Sequence, residues 1–154
     1  MSERWFPHVT VASLVCQNER YLMVEERAAG KLVLNQPAGH LEKGESLTDA
    51  VVRETLEETG HRFEPTGLLG VYQFVAGNGE TYVRFTFIGE VDLPAEKTEL
   101  DPAIERTLWM GGDQIRKQID RHRSTVVMRC IYDFENGRRY PLDQLNFADQ
   151  TTLL

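Results

Sequence analysis

The segment from Gly39 to His61 constrains this chain more than any other, because it combines a glycine loop with a strongly acidic helix. It reads GHLEKGESLTDAVVRETLEETGH and follows the pattern G-x5-E-x7-R-E-x-x-E-E-x-G. Carboxylate oxygens are ligands that Mg2+ prefers, and they often hold the ion against substrate phosphates. The segment therefore predicts a divalent-metal site for a diphosphate group, built on one helix.

The ends of this helix are marked by its sequence. Ser46 is a good N-terminal cap, and Asp49, three residues later, can close a capping box. Gly60 suits the left-handed residue that commonly follows a helix. The sequence thus predicts a helix from Leu47 to Thr59.

The acidic residues of the helix lie on its inward side. At about 100° per residue, Glu54, Glu57 and Glu58 share a sector roughly 100° wide. Apolar residues occupy the same sector one or two turns earlier, namely Leu47, Ala50 and Val51. Because Val52 and Leu56 lie on the opposite side, we expect the helix to be covered on both faces. The alternative is a solvated acidic face with Arg53 as an ion-pair partner, and the helical phase argues against it.

The whole chain has the size and composition of one globular domain. It has 154 residues, of which 41% are hydrophobic, so it can bury a core without disulfides. The chain has no apolar run of membrane-spanning length, and its opening MSERWFPHV lacks the apolar region of a signal peptide. We therefore expect a cytoplasmic protein without a membrane partner. The net charge of −7 argues against nucleic-acid binding, which needs cations to neutralise phosphates.

Short apolar and β-branched runs predict strands on both sides of the acidic helix. The predicted strands are residues 8–15, 20–26, 31–35, 68–76, 81–91 and 107–110, the fourth and fifth forming a hairpin. Two late helices follow, with Asp113 and Ser124 as their expected caps. This order predicts an α/β fold in which a mixed sheet is covered on both faces.

The pattern of the Gly39–His61 segment is the Nudix box, and the chain resembles the Nudix hydrolase family. Further segments resemble one group of small bacterial phosphatases in that family: PHVTVA, VEE, NQPAGHLE and GRRYPL. The resemblance implies a three-layer α/β/α sandwich with a mixed sheet, formed by a single Nudix hydrolase domain over residues 1–154. Thr55 and His61 stand where the family usually has aliphatic residues, which concerns local packing rather than the acids.

The resemblance also implies roles for the residues of the box. Glu57 and Glu58 bind the metal, assisted by Glu54 and the carbonyl of Gly39, and the ion is Mg2+ with Mn2+ as a substitute. Glu54 orients or deprotonates the attacking water, whose pKa a bound metal lowers. Arg53 holds Glu54 by a charge-assisted hydrogen bond. The predicted catalytic residues are therefore Glu54, Arg53 and Glu57.

Residues outside the acidic helix are further candidates. Nudix enzymes commonly recruit another carboxylate, and Glu105 is the candidate metal ligand, with a solvated loop acid as the alternative. Arg84, in a hairpin strand, is the candidate contact for the substrate phosphate. Glu45 is expected to anchor the loop before the helix or to lie in an outer shell around the metal. His8 and His40 lack metal-ligand spacing and are expected to be structural.

Together these features predict Mg2+-dependent hydrolysis of phosphoanhydride bonds in small molecules. By resemblance, the substrates are nucleoside tri- and diphosphates and pyrimidine diphosphate esters such as hydroxymethylpyrimidine diphosphate and thiamine diphosphate, with release of phosphate. One alternative is a pyrophosphatase acting on ADP-ribose or oxidised nucleotides, and another is a non-catalytic sensor or interaction module. The physiological substrate, the number of metal ions and the choice between monomer and homodimer stay open.

Overall fold

The fold combines strands from both ends of the chain with the acidic helix between them. The computed structural model describes residues 2–94 and 99–148. In these residues the strands are β1 (His8–Leu14), β2 (Cys16–Gln17), β3 (Arg20–Ala28), β4 (Lys31–Asn35), β5 (Ala38–His40), β6 (Phe63–Val75), β7 (Thr81–Val91) and β8 (Ile104–Gly111). The helices are α1 (Leu47–Thr59), α2 (Gly112–Arg116) and α3 (Val126–Glu135), with 3-10 turns at Ile119–Arg121 and Leu142–Gln144.

The strands form two four-stranded sheets. The first has the order β5-β1-β7-β6 and is mixed, because β1 and β7 are parallel and the other neighbours are antiparallel. The second joins β2, β3 and β4 and adds β8 on the other edge of β3, with antiparallel pairing throughout. The predicted mixed sheet is thus present, and an antiparallel sheet accompanies it.

Helices cover the mixed sheet on both faces, which confirms the three-layer α/β/α sandwich. Successive residues of a strand point to opposite faces, so β1 and β7 each supply both layers of the core. One apolar cluster lies on the α1 side and consists of Val11, Val15, Leu22, Ala50, Val51, Phe63 and Phe87. The other contains the apolar face of α3 and includes Leu14, Met23, Leu69, Ile88, Val127, Cys130 and Ile131.

Helix α1 begins and ends where its sequence predicts. Ser46 Oγ accepts a hydrogen bond of 3.0 Å from the Asp49 amide, and Gly60 adopts the left-handed conformation with φ of 73°. Among the described hydrogen bonds, only the Ser46 half of the predicted capping box is formed. The expectation of a helix covered on both faces is met by Val52, which packs against the α1-side core, and is wrong for Leu56, which is exposed to solvent.

Element boundaries elsewhere differ from the sequence-based expectations. The strand β6 begins at Phe63, five residues before the predicted start, because its first residues pair with the end of β7. The short strand β5 was not among the predicted strands, and it pairs with β1 where the glycine loop begins. The caps of α2 and α3 are Gly111 and Thr125, one or two residues away from those predicted. In the part of the chain that the structure describes, no helix is long and apolar enough to cross a membrane.

Candidate active site

Arg53 connects the loop of the box to its helix. Its Nε and Nη2 donate to the Glu45 carboxylate at 3.0 and 2.7 Å, and Nη2 also donates to the His40 carbonyl at 3.0 Å. Its Nη1 donates to Glu54 at 2.7 Å and to Glu57 at 3.2 Å. Two-point contacts between guanidinium and carboxylate restrict orientation as well as adding energy. Arg53 therefore holds Glu54 in place, and Glu45 anchors the loop by also accepting from the Glu42 amide at 2.8 Å.

Gly39 is a glycine because its neighbour leaves no room for a side chain. A Cβ atom added to this residue would run into the carboxylate of Glu54. Strand β5 carries Gly39 against β1, where it pairs with Val11, and the helix brings Glu54 from the other direction. The close approach of loop and helix explains why the box begins with glycine.

Glu58 is the most deeply buried acid of the helix. It is 5% exposed, and its Oε1 accepts a hydrogen bond of 2.7 Å from the Ala38 amide. Burial raises the pKa of Glu58 to about 9, and the nearby carboxylates of Glu26, Glu54 and Asp101 act in the same direction. Burial also raises the pKa of Glu54, although the Arg53 hydrogen bond opposes it. Glu54 and Glu58 thus form a buried acidic pair in which Glu54 is paired with Arg53, whereas no salt bridge among the described residues reaches Glu58.

Glu57 differs from its neighbours on the helix because its side chain is 47% exposed. Its backbone carbonyl accepts a hydrogen bond of 2.8 Å from the Asp101 amide, which ties the segment before β8 to the helix. Asp101 and Glu26 are the two acids near the buried pair that sequence reasoning did not single out as site residues. The VEE segment contained Glu26, but only the fold brings its carboxylate near that of Glu58.

The donor atoms of this site fit a divalent cation. Carboxylate and carbonyl oxygens are the ligands that Mg2+ prefers, and an added cation would supply positive charge next to Glu58 and its acidic neighbours. In residues 2–94 and 99–148, no three acidic, histidine or cysteine side chains already converge in a metal-binding arrangement. The candidate ligands are Glu54, Glu57, Glu58 and Gly39.

Glu105 lies apart from these candidate ligands. Its carboxylate is paired with Arg27 Nη2 at 3.0 Å, and both side chains are well exposed. Glu105 sits beside a register shift between β3 and β8, where Glu25 pairs with Arg106 and Glu26 with Ile104. The structure therefore does not bring Glu105 together with the acids of the helix.

A cleft of about 600 Å3 opens beside Gly39 and reaches away from the helix. Its lining includes the charged residues Glu26, Lys31, Arg84 and Arg123, and it also includes apolar residues, namely Ala28, Val33, Phe74, Ala76 and Tyr82. The Phe74 and Tyr82 rings stack with centroids 5.4 Å apart. The cleft can therefore accept a molecule that carries both a charged group and a flat apolar group.

Arg84 forms part of the floor of this cleft. It is 3% exposed, and each of its nitrogen atoms donates to a protein oxygen. The acceptors are Thr86 Oγ1 at 3.3 Å, Asn35 Oδ1 at 3.2 Å and Gln36 Oε1 at 2.8 Å. Arg84 therefore places a positive charge under the cleft while its guanidinium is held by the protein.

The other polar residues considered in the sequence make contacts within the protein; they are Thr55, His61, His8 and His40. The Thr55 hydroxyl donates to the Val51 carbonyl one turn earlier at 2.7 Å, which satisfies it inside the core. His61 Nδ1 lies 2.6 Å from the Asp92 carbonyl. His8 and His40 contact one another through Nδ1 and Nε2 at 3.2 Å.

Comparison with known proteins identifies the class of this protein. A family model for the NUDIX domain matches residues 6–130, and the chain therefore belongs to the Nudix hydrolase family and is an enzyme acting on phosphoanhydride bonds. Its relatives include Phosphatase NudJ from Escherichia coli strain K12 and from Shigella flexneri. Each is 37% identical over 139 residues, which cover 90% of this chain and 90% of the relative.

Solved structures agree with this assignment. A Nudix hydrolase from Nitrosomonas europaea is 48% identical, with a TM-score of 0.90 over 94% of this chain and 99% of that chain. A UDP-X diphosphatase, with 20% identity and a TM-score of 0.71 over 91% of this chain and 68% of that chain, shares the fold.

Proposed function

We propose that this enzyme removes the terminal phosphate from nucleoside tri- and diphosphates and from pyrimidine diphosphate esters, such as hydroxymethylpyrimidine diphosphate and thiamine diphosphate. Mg2+ is the proposed cofactor, with Mn2+ as a substitute. The observation that carries the proposal is the buried pair of Glu54 and Glu58, because Glu54 lies against Gly39, Glu58 accepts from the Ala38 amide, and Ala38 and Gly39 both line the cleft. The likeness to Phosphatase NudJ supports release of phosphate rather than pyrophosphate.

The proposed metal ligands are Glu54, Glu57, Glu58 and the Gly39 carbonyl. A bound Mg2+ would neutralise charge on the phosphates and lower the pKa of a bound water. Glu105 is left out of this set because its carboxylate pairs with Arg27. Glu57 is kept in the set because its carboxylate and that of Glu54 share Arg53 Nη1, at 3.2 and 2.7 Å.

The proposed chemistry is attack by water on the terminal phosphorus. Glu54 orients that water and accepts its proton, and Arg53 keeps the Glu54 carboxylate in position through the 2.7 Å hydrogen bond. The new bond joins the water oxygen to phosphorus, and the bond from phosphorus to the bridging oxygen breaks. The products are inorganic phosphate and the substrate shortened by one phosphate. The positive charge of Arg84, below the cleft, favours binding of the di- or triphosphate substrate.

A product assay tests this function. Purified enzyme is incubated with Mg2+ and a nucleoside triphosphate, hydroxymethylpyrimidine diphosphate or thiamine diphosphate, each with and without added inorganic pyrophosphatase. We expect free phosphate without pyrophosphatase, and the Glu54→Gln protein prepared in parallel controls for contaminating phosphatases. If phosphate from the triphosphate requires pyrophosphatase, the enzyme cleaves an inner bond and the proposal is wrong.

We further infer that residues 1–154 act as one domain on small molecules in the cytoplasm, without nucleic acid or membrane as partner. The packing of Leu142 and Leu145 against the α1-side core supports a single domain, because it ties the segment after α3 to the same core. Size-exclusion chromatography with light scattering distinguishes the monomer from the homodimer.

A further inference from the structure

Arg123 is an exposed cation on the wall of the cleft. Its side chain is 46% exposed, whereas its backbone amide donates to the Leu34 carbonyl at 2.8 Å. The backbone is therefore anchored to β4 while the long side chain can move. Its Nη1 lies 3.3 Å from Glu26 Oε1, and Arg123, Glu26 and Gly39 all line the cleft.

The contact between Arg123 and Glu26 is long enough for a substrate phosphate to replace Glu26 as the partner of Arg123. Glu26 is largely buried, and its Oε1 is shared between Arg123 at 3.3 Å and Asn35 Nδ2 at 3.4 Å. Both distances exceed those of strong charge-assisted hydrogen bonds, which are about 2.7–2.9 Å. A phosphate carries more charge than a carboxylate and offers more acceptor oxygens, so it can replace Glu26 as the partner of Arg123.

The other cations of the cleft are less suited to direct contact. Arg84 is buried, and its nitrogen atoms donate to Thr86, Asn35 and Gln36. Lys31 lies at the start of β4, whereas Asn35, at the other end of that strand, contacts Glu26. Glu26 is itself close enough to Glu58 to raise the pKa of that acid, so a phosphate that displaced it would lie next to the buried acids.

We propose that Arg123 leaves Glu26 on substrate binding and binds an oxygen of the substrate's phosphate group. The proposal rests on the proposed function and adds the residue that recognises the charged end of the substrate. Glu26 then acts as a competitor, since it occupies Arg123 in the free enzyme. Arg123 is thus a specificity residue for di- and triphosphates, distinct from the residues proposed for metal and water.

Steady-state kinetics on the Mg2+-loaded enzyme test this role. A charge-assisted hydrogen bond corresponds to roughly 10- to 100-fold in binding, so Arg123→Ala should raise KM by that factor and change kcat by less than about threefold. Arg123→Lys should recover part of the loss. Arg121→Ala is the matched control, because Arg121 lies in the same segment and pairs with Glu25 at 3.5 Å, outside the cleft. Equal KM values for the Arg123→Ala and Arg121→Ala variants would overturn the proposal.

A binding experiment separates this proposal from the hydrolytic function. Calorimetry with ADP in EDTA measures phosphate recognition without turnover, and Arg123→Ala should weaken ADP binding roughly 10-fold or more. Glu26→Gln should tighten ADP binding in the wild-type background, because it frees Arg123, but not in the Arg123→Ala background. If hydrolysis is absent while binding depends on Arg123, the proposed function fails and the Arg123 site stands. If Arg123→Ala binds ADP as the wild type does, the Arg123 site is wrong.

Discussion

Because Glu58 is buried, we expect the metal-free enzyme to be less stable than its Glu58→Gln variant. The folded-state pKa of Glu58 is about 9, against a reference value of 4.5, because the carboxylate is desolvated and has acidic neighbours. An acid whose pKa is higher in the folded than in the unfolded protein contributes most to stability at low pH. The contribution of Glu58 is therefore lost as the pH rises from 4.5 towards 9. The unfolded chain ionises freely over that window, whereas the folded protein keeps the proton.

The size of the effect follows from the pKa difference. At pH 7 the unfolded state gains up to about 3 kcal/mol from ionising this one group, and at pH 5 less than about 1 kcal/mol. Glu58→Gln removes the ionisation and keeps an oxygen that can accept from the Ala38 amide. The variant should therefore be more stable than the wild type at pH 7, with a melting temperature higher by up to roughly 6–12 °C.

The assay is urea unfolding in EDTA at pH 5, 6, 7 and 8, followed by tryptophan fluorescence and fitted to free energies of unfolding. Glu57→Gln is the matched control, since it neutralises the next residue, whose side chain is largely exposed. The stability difference between Glu58→Gln and the wild type should grow with pH, and that of Glu57→Gln should change much less. If the Glu58→Gln protein is less stable than the wild type at pH 7, burial of Glu58 does not destabilise the fold. The carboxylate would then be needed as the acceptor of the Ala38 hydrogen bond.

Three further predictions address the proposed metal site. Glu57→Gln and Glu54→Gln should each lower kcat by at least roughly 100-fold with unchanged circular dichroism, and near-normal turnover in Glu57→Gln would remove it from the ligand set. Mg2+ at a hundred times its Kd should stabilise the wild type by about 2.7 kcal/mol in thermal unfolding and stabilise Glu57→Gln far less, whereas equal shifts would place the ion elsewhere. Gly39→Ala should lower kcat/KM more than roughly 10-fold, because the added methyl group meets Glu54 and displaces a catalytic group. Gly111→Ala, whose Cβ would have its nearest neighbour at 3.6 Å, is the control, and equal rates for the two alanine variants would show that this contact is unimportant.

The sequence by itself determined the box helix and the kind of chemistry that it carries. Helix caps and the spacing of acids along one turn are local properties, so Ser46 and Gly60 were sufficient to predict the bounds of α1. The hydrogen bond from Arg53 to Glu57, four residues later, follows from the same local geometry. The family resemblance then supplied the layer order of the fold, which the comparisons confirmed.

Only the tertiary structure decided which charged groups share an environment. Glu57 and Glu58 are adjacent in sequence, but Glu58 is buried against β5 while Glu57 faces solvent. The Glu26 carboxylate lies near the buried acids of α1, although Glu26 belongs to β3. Glu105, which the sequence suggested as a ligand, pairs with Arg27 instead. Burial and ion pairing depend on residues far apart in the chain, so no local pattern distinguishes a solvated acid from one that the fold has placed in the site.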